Sequence, residues 1–178
     1  MQLVPEGEFV RWAAAIGIAR HPRFPLNLAF VEDPDCQKSW LPTGRITDLP
    51  GFLQTAVGLA SGDGGTLLYR KGGGSWYESD DAPIGNHIID RVLAAISVPR
   101  EFAGALSFES TEWRDLYLVI STFFVWGWSV GEDLYIIPRN GSCMLMTSHH
   151  GELFAMCPTG DALAQFEAEM LRCEFPAR

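Results

Sequence analysis

The chain has 178 residues, 47% apolar and 20% charged, a mixture that suits a single folded domain over residues 1–178. Its formal net charge is −9 and its pI about 4.8. Nucleic acid and anionic membranes are therefore disfavoured as partners, since both are gripped by cationic patches, whereas a basic protein remains compatible.

Phe9, Trp12, Ala13 and Ile16 recur at helical spacing and predict a helix over residues 6–20. From His21 to Thr47 four prolines interrupt any periodicity, which predicts a loop-rich connection with one short strand at Leu26–Val31. Glu32, Asp33 and Asp35 follow as a solvated acidic turn. Asp48 precedes a helix whose stripe is Leu49, Phe52, Leu53, Ala56, Val57 and Ala60. A glycine-bracketed hairpin is expected next, with strands Thr66–Lys71 and Ser75–Glu78 around Gly72–Gly74.

Glu78, Asp80 and Asp81 before Pro83 suit the positive end of a third helix, whose apolar face runs from Ile84 to Ile96. Ala103–Phe108 reads as a strand. Ser110 caps a fourth helix over Thr111–Val125, stopped by Gly127 between Trp126 and Trp128. Here Leu116, Val119, Ile120, Phe123 and Phe124 favour helix over strand by their period. Leu134–Pro138 is apolar on both faces and so belongs in the middle of a sheet. After an Asn140-Gly141 turn come strands Cys143–His149 and Glu152–Cys157. Thr159 or Asp161 caps a last helix carrying Leu163, Phe166, Met170 and Leu171 inward. The sum is α+β: an antiparallel or mixed sheet of about five to six strands packed by four to five helices.

MQLVPEGEFVRW lacks a basic segment leading into an apolar one, so no signal peptide is expected. The apolar run Leu116–Trp128 is too short to span a bilayer. Cys36, Cys143, Cys157 and Cys173 form no C-x-x-C pair, as expected of reduced thiols in a cytoplasmic protein.

His149 and His150 with Cys143 and Cys157 invite a metal reading. With His150-Gly151 as a two-residue turn, His149 faces Glu152, and Cys143 and Cys157 fall on opposite faces of the hairpin. No metal is then expected, although a slip of one residue reverses the argument. The same register offers His149 and Glu152 as an acid–base pair for a small hydrolase or transferase, with His87 or Asp133 as further candidates. No nucleophile elbow, phosphate loop or cofactor motif is present.

Trp126 and Trp128 beside Glu132 and Asp133, and Trp76 and Tyr77 beside Glu78, Asp80 and Asp81, are two aromatic–acidic groupings. Such surfaces suit a cationic protein partner. Burial of Trp126 and Trp128 in a homodimer, as in a structural or adaptor subunit, is the alternative.

Leu49-Pro50, Phe52-Leu53 and Gly64-Gly65, together with the closing strands and the helix Asp161–Cys173, resemble the immunity proteins of bacterial polymorphic toxin systems, the SMI1/KNR4-like group. The resemblance covers about half the chain, and Asp115–His150 lies outside it. It implies a monomeric or dimeric cytoplasmic protein that binds and blocks one cognate toxin. With no complete catalytic constellation in the sequence, the expectation is a non-catalytic module that acts by occlusion, without a cofactor. The resemblance assigns no role to individual residues.

Overall fold

Two five-residue runs set the architecture. Thr66–Arg70 (β5) and Leu134–Pro138 (β7) pair antiparallel and are buried on both faces, apart from the half-buried Arg70. A sheet with two apolar faces must be covered twice. The computed structural model describes residues 1–42, 48–62, 64–77, 84–131 and 133–175, with backbone alone at 84–86 and 128–130. Over these residues the protein is an α+β fold with a seven-stranded antiparallel sheet and a second sheet of two strands.

The other strands of the large sheet are β1 (Gln2–Pro5), β4 (Gln37–Trp40), β6 (Gly104–Phe108), β8 (Met144–Thr147) and β9 (Leu153–Met156). Their spatial order is β1-β6-β5-β7-β8-β9-β4. The small sheet pairs β2 (Ile18–Arg20) with β3 (Leu28–Phe30). The helices are α1 (Glu6–Ala15), α2 (Leu49–Ser61), α3 (Ile84–Ala95), α4 (Trp113–Val130) and α5 (Gly160–Arg172).

One face of the sheet, bearing Leu68, Leu106, Ile136, Leu145 and Ala155, packs against α2, α3, α4 and α5. The stripes expected of α2 and α4 are buried there, with Phe52, Leu53, Ala56 and Val57 from α2 and Val119, Ile120 and Phe123 from α4. The opposite face, bearing Leu67, Tyr69, Tyr135, Ile137 and Met144, packs against α1 and the β2–β3 hairpin. Residues 1–40 therefore run from one sheet edge, β1, across this face to the other edge, β4.

Two tyrosines hold that strap down. Leu28 N–H donates to the Tyr135 hydroxyl at 3.0 Å, and Tyr69 donates to Glu6 Oε1 at 2.6 Å. Phe9 stacks on the Tyr69 ring with centroids 4.1 Å apart. Burial pushes the Tyr135 hydroxyl up to about 12.

Several expectations are corrected. The first helix stops at Ala15, because Gly17 at φ +77° turns the chain into β2. The hairpin expected after β5 does not form: β6 and β7 occupy both edges of β5, and Ser75 instead bridges Ala103. Gly127 does not end α4. The helix continues to Val130 and stops where Gly131 takes the left-handed conformation, its N–H bonding Gly127 O. A glycine inside a helix costs only about 1 kcal/mol, which packing against α3 offsets. Ser110 does not cap α4: it opens a 3-10 turn, Ser110–Glu112, that is capped by a reciprocal Glu109–Glu112 box and leads into α4 at Trp113. At α5 the cap is Thr159, whose Oγ1 accepts Ala162 N–H at 3.2 Å, and Leu171 points outward.

The last hairpin is shifted by one residue from the expected register. Thr147 lies opposite Leu153 and Leu145 opposite Ala155. The turn has three residues, with Gly151 at φ +77° and its N–H on Ser148 O. A two-residue turn needs a positive φ at His150 as well, which a histidine avoids.

Gly104 marks the tightest backbone crossing. Its φ is +140°, and an added Cβ falls 2.2 Å from Val4 O. We expect Gly104→Ala to lower stability by about 2–4 kcal/mol, read as a drop in the urea unfolding midpoint.

Candidate functional site

Two elements converge on Asp133, the residue before β7: the residue after β5 and the β8–β9 turn. Lys71 N–H bonds the Asp133 carbonyl at 3.0 Å, extending the β5–β7 ladder by one step. That brings Lys71 Nζ to 2.5 Å from Asp133 Oδ2. From the other side the three-residue turn delivers His149. Its backbone N–H reaches Asp133 Oδ1 at 2.9 Å and its ring Nδ1 reaches the same oxygen at 2.7 Å.

Asp133 is only 2% exposed. Burial by itself pushes its carboxyl up, but the hydrogen bonds from Lys71, the His149 amide and the His149 ring outweigh it and hold the group below the ordinary carboxylate range. A carboxylate only accepts, so Nδ1 of His149 carries the proton in this contact. In its neutral form the ring presents Nε2 as a lone pair, the arrangement of an oriented base. His150 packs on His149 with ring centroids 4.0 Å apart, and Ser148 Oγ accepts His150 N–H at 3.2 Å.

The sequence pairs His149 with Glu152. The longer turn instead places Glu152 opposite Ser148, whose N–H bonds Glu152 O at 2.8 Å, and His149 turns to Asp133. The register also corrects the placement of the thiols. Cys143 and Cys157 lie directly opposite one another on the same face, with their sulfurs 2.6 Å apart. The histidines lie at the tip of the hairpin, roughly 20 Å along the strands from these thiols. Among the described residues no three His, Cys, Asp or Glu side chains converge in a metal-binding group.

The aromatic–acidic groupings are described only in part. Trp76 is buried, edge-on to Phe123, with its indole N–H on Gly104 O at 2.9 Å. Tyr77 is half-buried and donates to Val98 O at 2.7 Å. Trp126 is half-buried against the main core. Asp133 is inside, and Trp128 is described by backbone only, in the last turn of α4. Glu78, Asp80, Asp81 and Glu132 lie outside the described residues. His87 is exposed on α3, away from the Asp133 cluster, where it lines an open cleft with Asp90, Arg91 and Arg100.

Sequence reasoning missed a cluster of exposed large apolar side chains among the described residues. Phe24, Leu26 and Val31 on the β2–β3 hairpin are 56%, 62% and 65% exposed. Their presentation is built. The buried ring of His21 accepts Arg23 N–H at 3.1 Å and Phe24 N–H at 3.2 Å through Nδ1, while its Nε2 faces Asp35 at 3.3 Å. His21 N–H bonds Asn27 O and Asn27 N–H bonds Phe24 O, both at 2.8 Å. Exposed Glu32, Asp33 and Asp35 flank Val31. The sequence signal was there: Phe24 and Leu26 sit between and beside Pro22 and Pro25, where no period can bury them.

No helix among the described residues is long and apolar enough to cross a membrane. No family model, curated protein or solved structure matches this chain.

The depressed Asp133 carboxyl makes stability depend on pH. The unfolded side chain titrates near 3.9, so between that value and the lower folded one the unfolded chain binds more protons. The Asp133 contribution is complete above about pH 5 and is lost as pH falls through the folded pKa. Asp133→Asn should cost about 1–3 kcal/mol at neutral pH, and its deficit against the unsubstituted protein should narrow below about pH 4 in urea melts.

Proposed function

We propose that this protein is a non-catalytic binding module, an immunity protein that neutralises a cognate bacterial toxin by occlusion, with the β2–β3 hairpin as its contact surface. The observation that carries this reading is the rigid exposure of Phe24 and Leu26. An aromatic anchor whose loop is already ordered loses little freedom on binding, so more of its contact energy appears as affinity. Large side chains at an interface centre dominate such energies. Glu32 and Asp33 beside Val31, and the net charge of −9, suit a basic partner domain, while Asp35 is paired with Arg23. The resemblance to the SMI1/KNR4-like group points the same way.

The test is made with the product of the neighbouring reading frame. Excess protein should suppress the activity of that toxin domain, and the two should form a complex. Phe24→Ala combined with Leu26→Ala should weaken binding roughly thirtyfold or more, the equivalent of about 2 kcal/mol. Full toxin activity in the presence of excess protein, for every adjacent candidate, overturns the reading.

A second reading rests on one observation. Asp133 holds the His149 ring through Nδ1, in the manner of a carboxylate–histidine pair, which leaves Nε2 out of that contact. A hydrolase or transferase using this pair loses turnover in His149→Gln while its toxin binding, if any, is unchanged.

A further inference from the structure

Three cysteines lie in one row across three neighbouring strands. Cys143 precedes β8, Cys157 follows β9 and Cys36 precedes β4, and each stands one step beyond a paired register position. Cys157 is fully buried in the middle of the row. Its N–H bonds Cys36 O at 3.2 Å on one side, and its sulfur meets that of Cys143 on the other.

The Cys143–Cys157 position is the one at which adjacent antiparallel strands accept a cross-link. Ser148 and Glu152 form a hydrogen-bonded pair. Counting back along the ladder, Cys143 and Cys157 fall at a non-hydrogen-bonded pair, where Cα atoms approach to about 4.5 Å. That lies within the range of about 4.4–6.8 Å that a disulfide spans. Access comes from one side. A cavity of about 190 Å3 reaches Cys143, lined also by Leu59, Ser142, Ala162, Phe166 and Glu169. A water occupies roughly 30 Å3 of liquid, so an oxidant little larger than water fits.

We propose that Cys143 and Cys157 form an oxidative modification site, closed into a cross-strand disulfide by a small peroxide entering beside α5. The Cys143 sulfur attacks one peroxide oxygen. The O–O bond breaks, and Cys143 becomes a sulfenic acid as one water leaves. The Cys157 sulfur then attacks the Cys143 sulfur. The S–S bond forms, the S–O bond breaks, and the departing hydroxide leaves with the Cys157 proton as a second water. Two thiols are oxidised by two electrons and the peroxide is reduced to two waters.

Two things set the pace. The Cys143 thiol is held well above its ordinary range by its hydrogen bond with Cys157 and by burial. Because the thiolate is the nucleophile, the first step quickens as pH rises.

The experiment uses full-length Cys173→Ser protein, which removes the exposed thiol. It is treated with hydrogen peroxide, then alkylated under denaturing conditions and mapped by mass spectrometry. The expected product has lost two hydrogens and contains a peptide joined through Cys143 and Cys157, reversible by dithiothreitol. Cys157→Ser should stop the cross-link and leave a Cys143 sulfenic acid that a 1,3-dione captures in the folded protein. The proposal is overturned if Cys143 and Cys157 both remain alkylatable under conditions that oxidise the urea-unfolded chain. It is equally overturned if the only cross-link found joins Cys36 to Cys157. The assay involves no toxin, so its outcome is independent of the immunity reading.

Discussion

The burial of β5 and β7 on both faces is the constraint from which the remainder follows. Leu67 and Tyr69 point one way from β5 while Leu68 points the other, and β7 divides likewise between Tyr135 with Ile137 and Leu134 with Ile136. Leaving either face wet would expose a row of large side chains, each worth about 1.5–3 kcal/mol when buried. Helices α2 to α5 cover one face. The other is covered by the first forty residues, whose α1 and small sheet lie across the strands between β1 and β4. Tyr69 and Tyr135 are the polar pegs of that cover: their rings join the apolar layer, and each hydroxyl finds a partner on the strap. A buried hydroxyl left unpaired costs about 1–3 kcal/mol, so these contacts also select where the strap lies.

The Asp133 cluster does for the strand ends what the tyrosines do for the face. One carboxylate takes Lys71 from the end of β5 and both the amide and the ring of His149 from the last turn. A cluster of this kind can be read as a joint or as an oriented base, and the geometry serves both. Buried carboxylates that accept several donors are common as structural joints, and the same contacts fix a histidine tautomer for chemistry. Because the carboxylate engages Nδ1, Nε2 is the ring nitrogen left for chemistry.

The two surfaces of greatest interest belong to opposite faces of the sheet. The β2–β3 hairpin, with Phe24 and Leu26, sits over the Tyr69–Tyr135 side. The Cys143–Cys157 pair sits on the helical side, near Phe166 of α5. Strand alternation makes this separation unavoidable once the register is set: Met144 and Met156 go to one layer, and Cys143 and Cys157 to the other. A partner seated on the hairpin would leave the cavity beside Cys143 open.

The helices and the central strands were legible from sequence because their signals are local. Val119, Ile120, Phe123 and Phe124 mark a helix by their period, and Leu-Tyr-Ile-Ile-Pro marks a doubly buried strand by its lack of one. The candidate site was half legible. Asp133 and His149 are marked by residue type, but Lys71 is not, and a two-residue turn pairs His149 with Glu152 where the structure has Asp133. The neighbour of His149 depends on whether the turn holds two residues or three, and the residues from Ser148 to Gly151 allow either count on paper. That single step also moved Cys157 onto the face of Cys143. Strands β1 and β4 were illegible, being four residues each and defined only by partners about a hundred positions away, such as Leu106 for Leu3 and Ala155 for Lys38. Trp76 looked like a surface anchor because glycines and acids surround it, and only the approach of α4 put Phe123 over its ring. Period and composition, then, determined the α+β class, the helices and the acidic character. Strand order, hairpin register and which aromatics face outward were decided by tertiary structure, since hydrogen-bond pairing and burial join residues far apart in the chain.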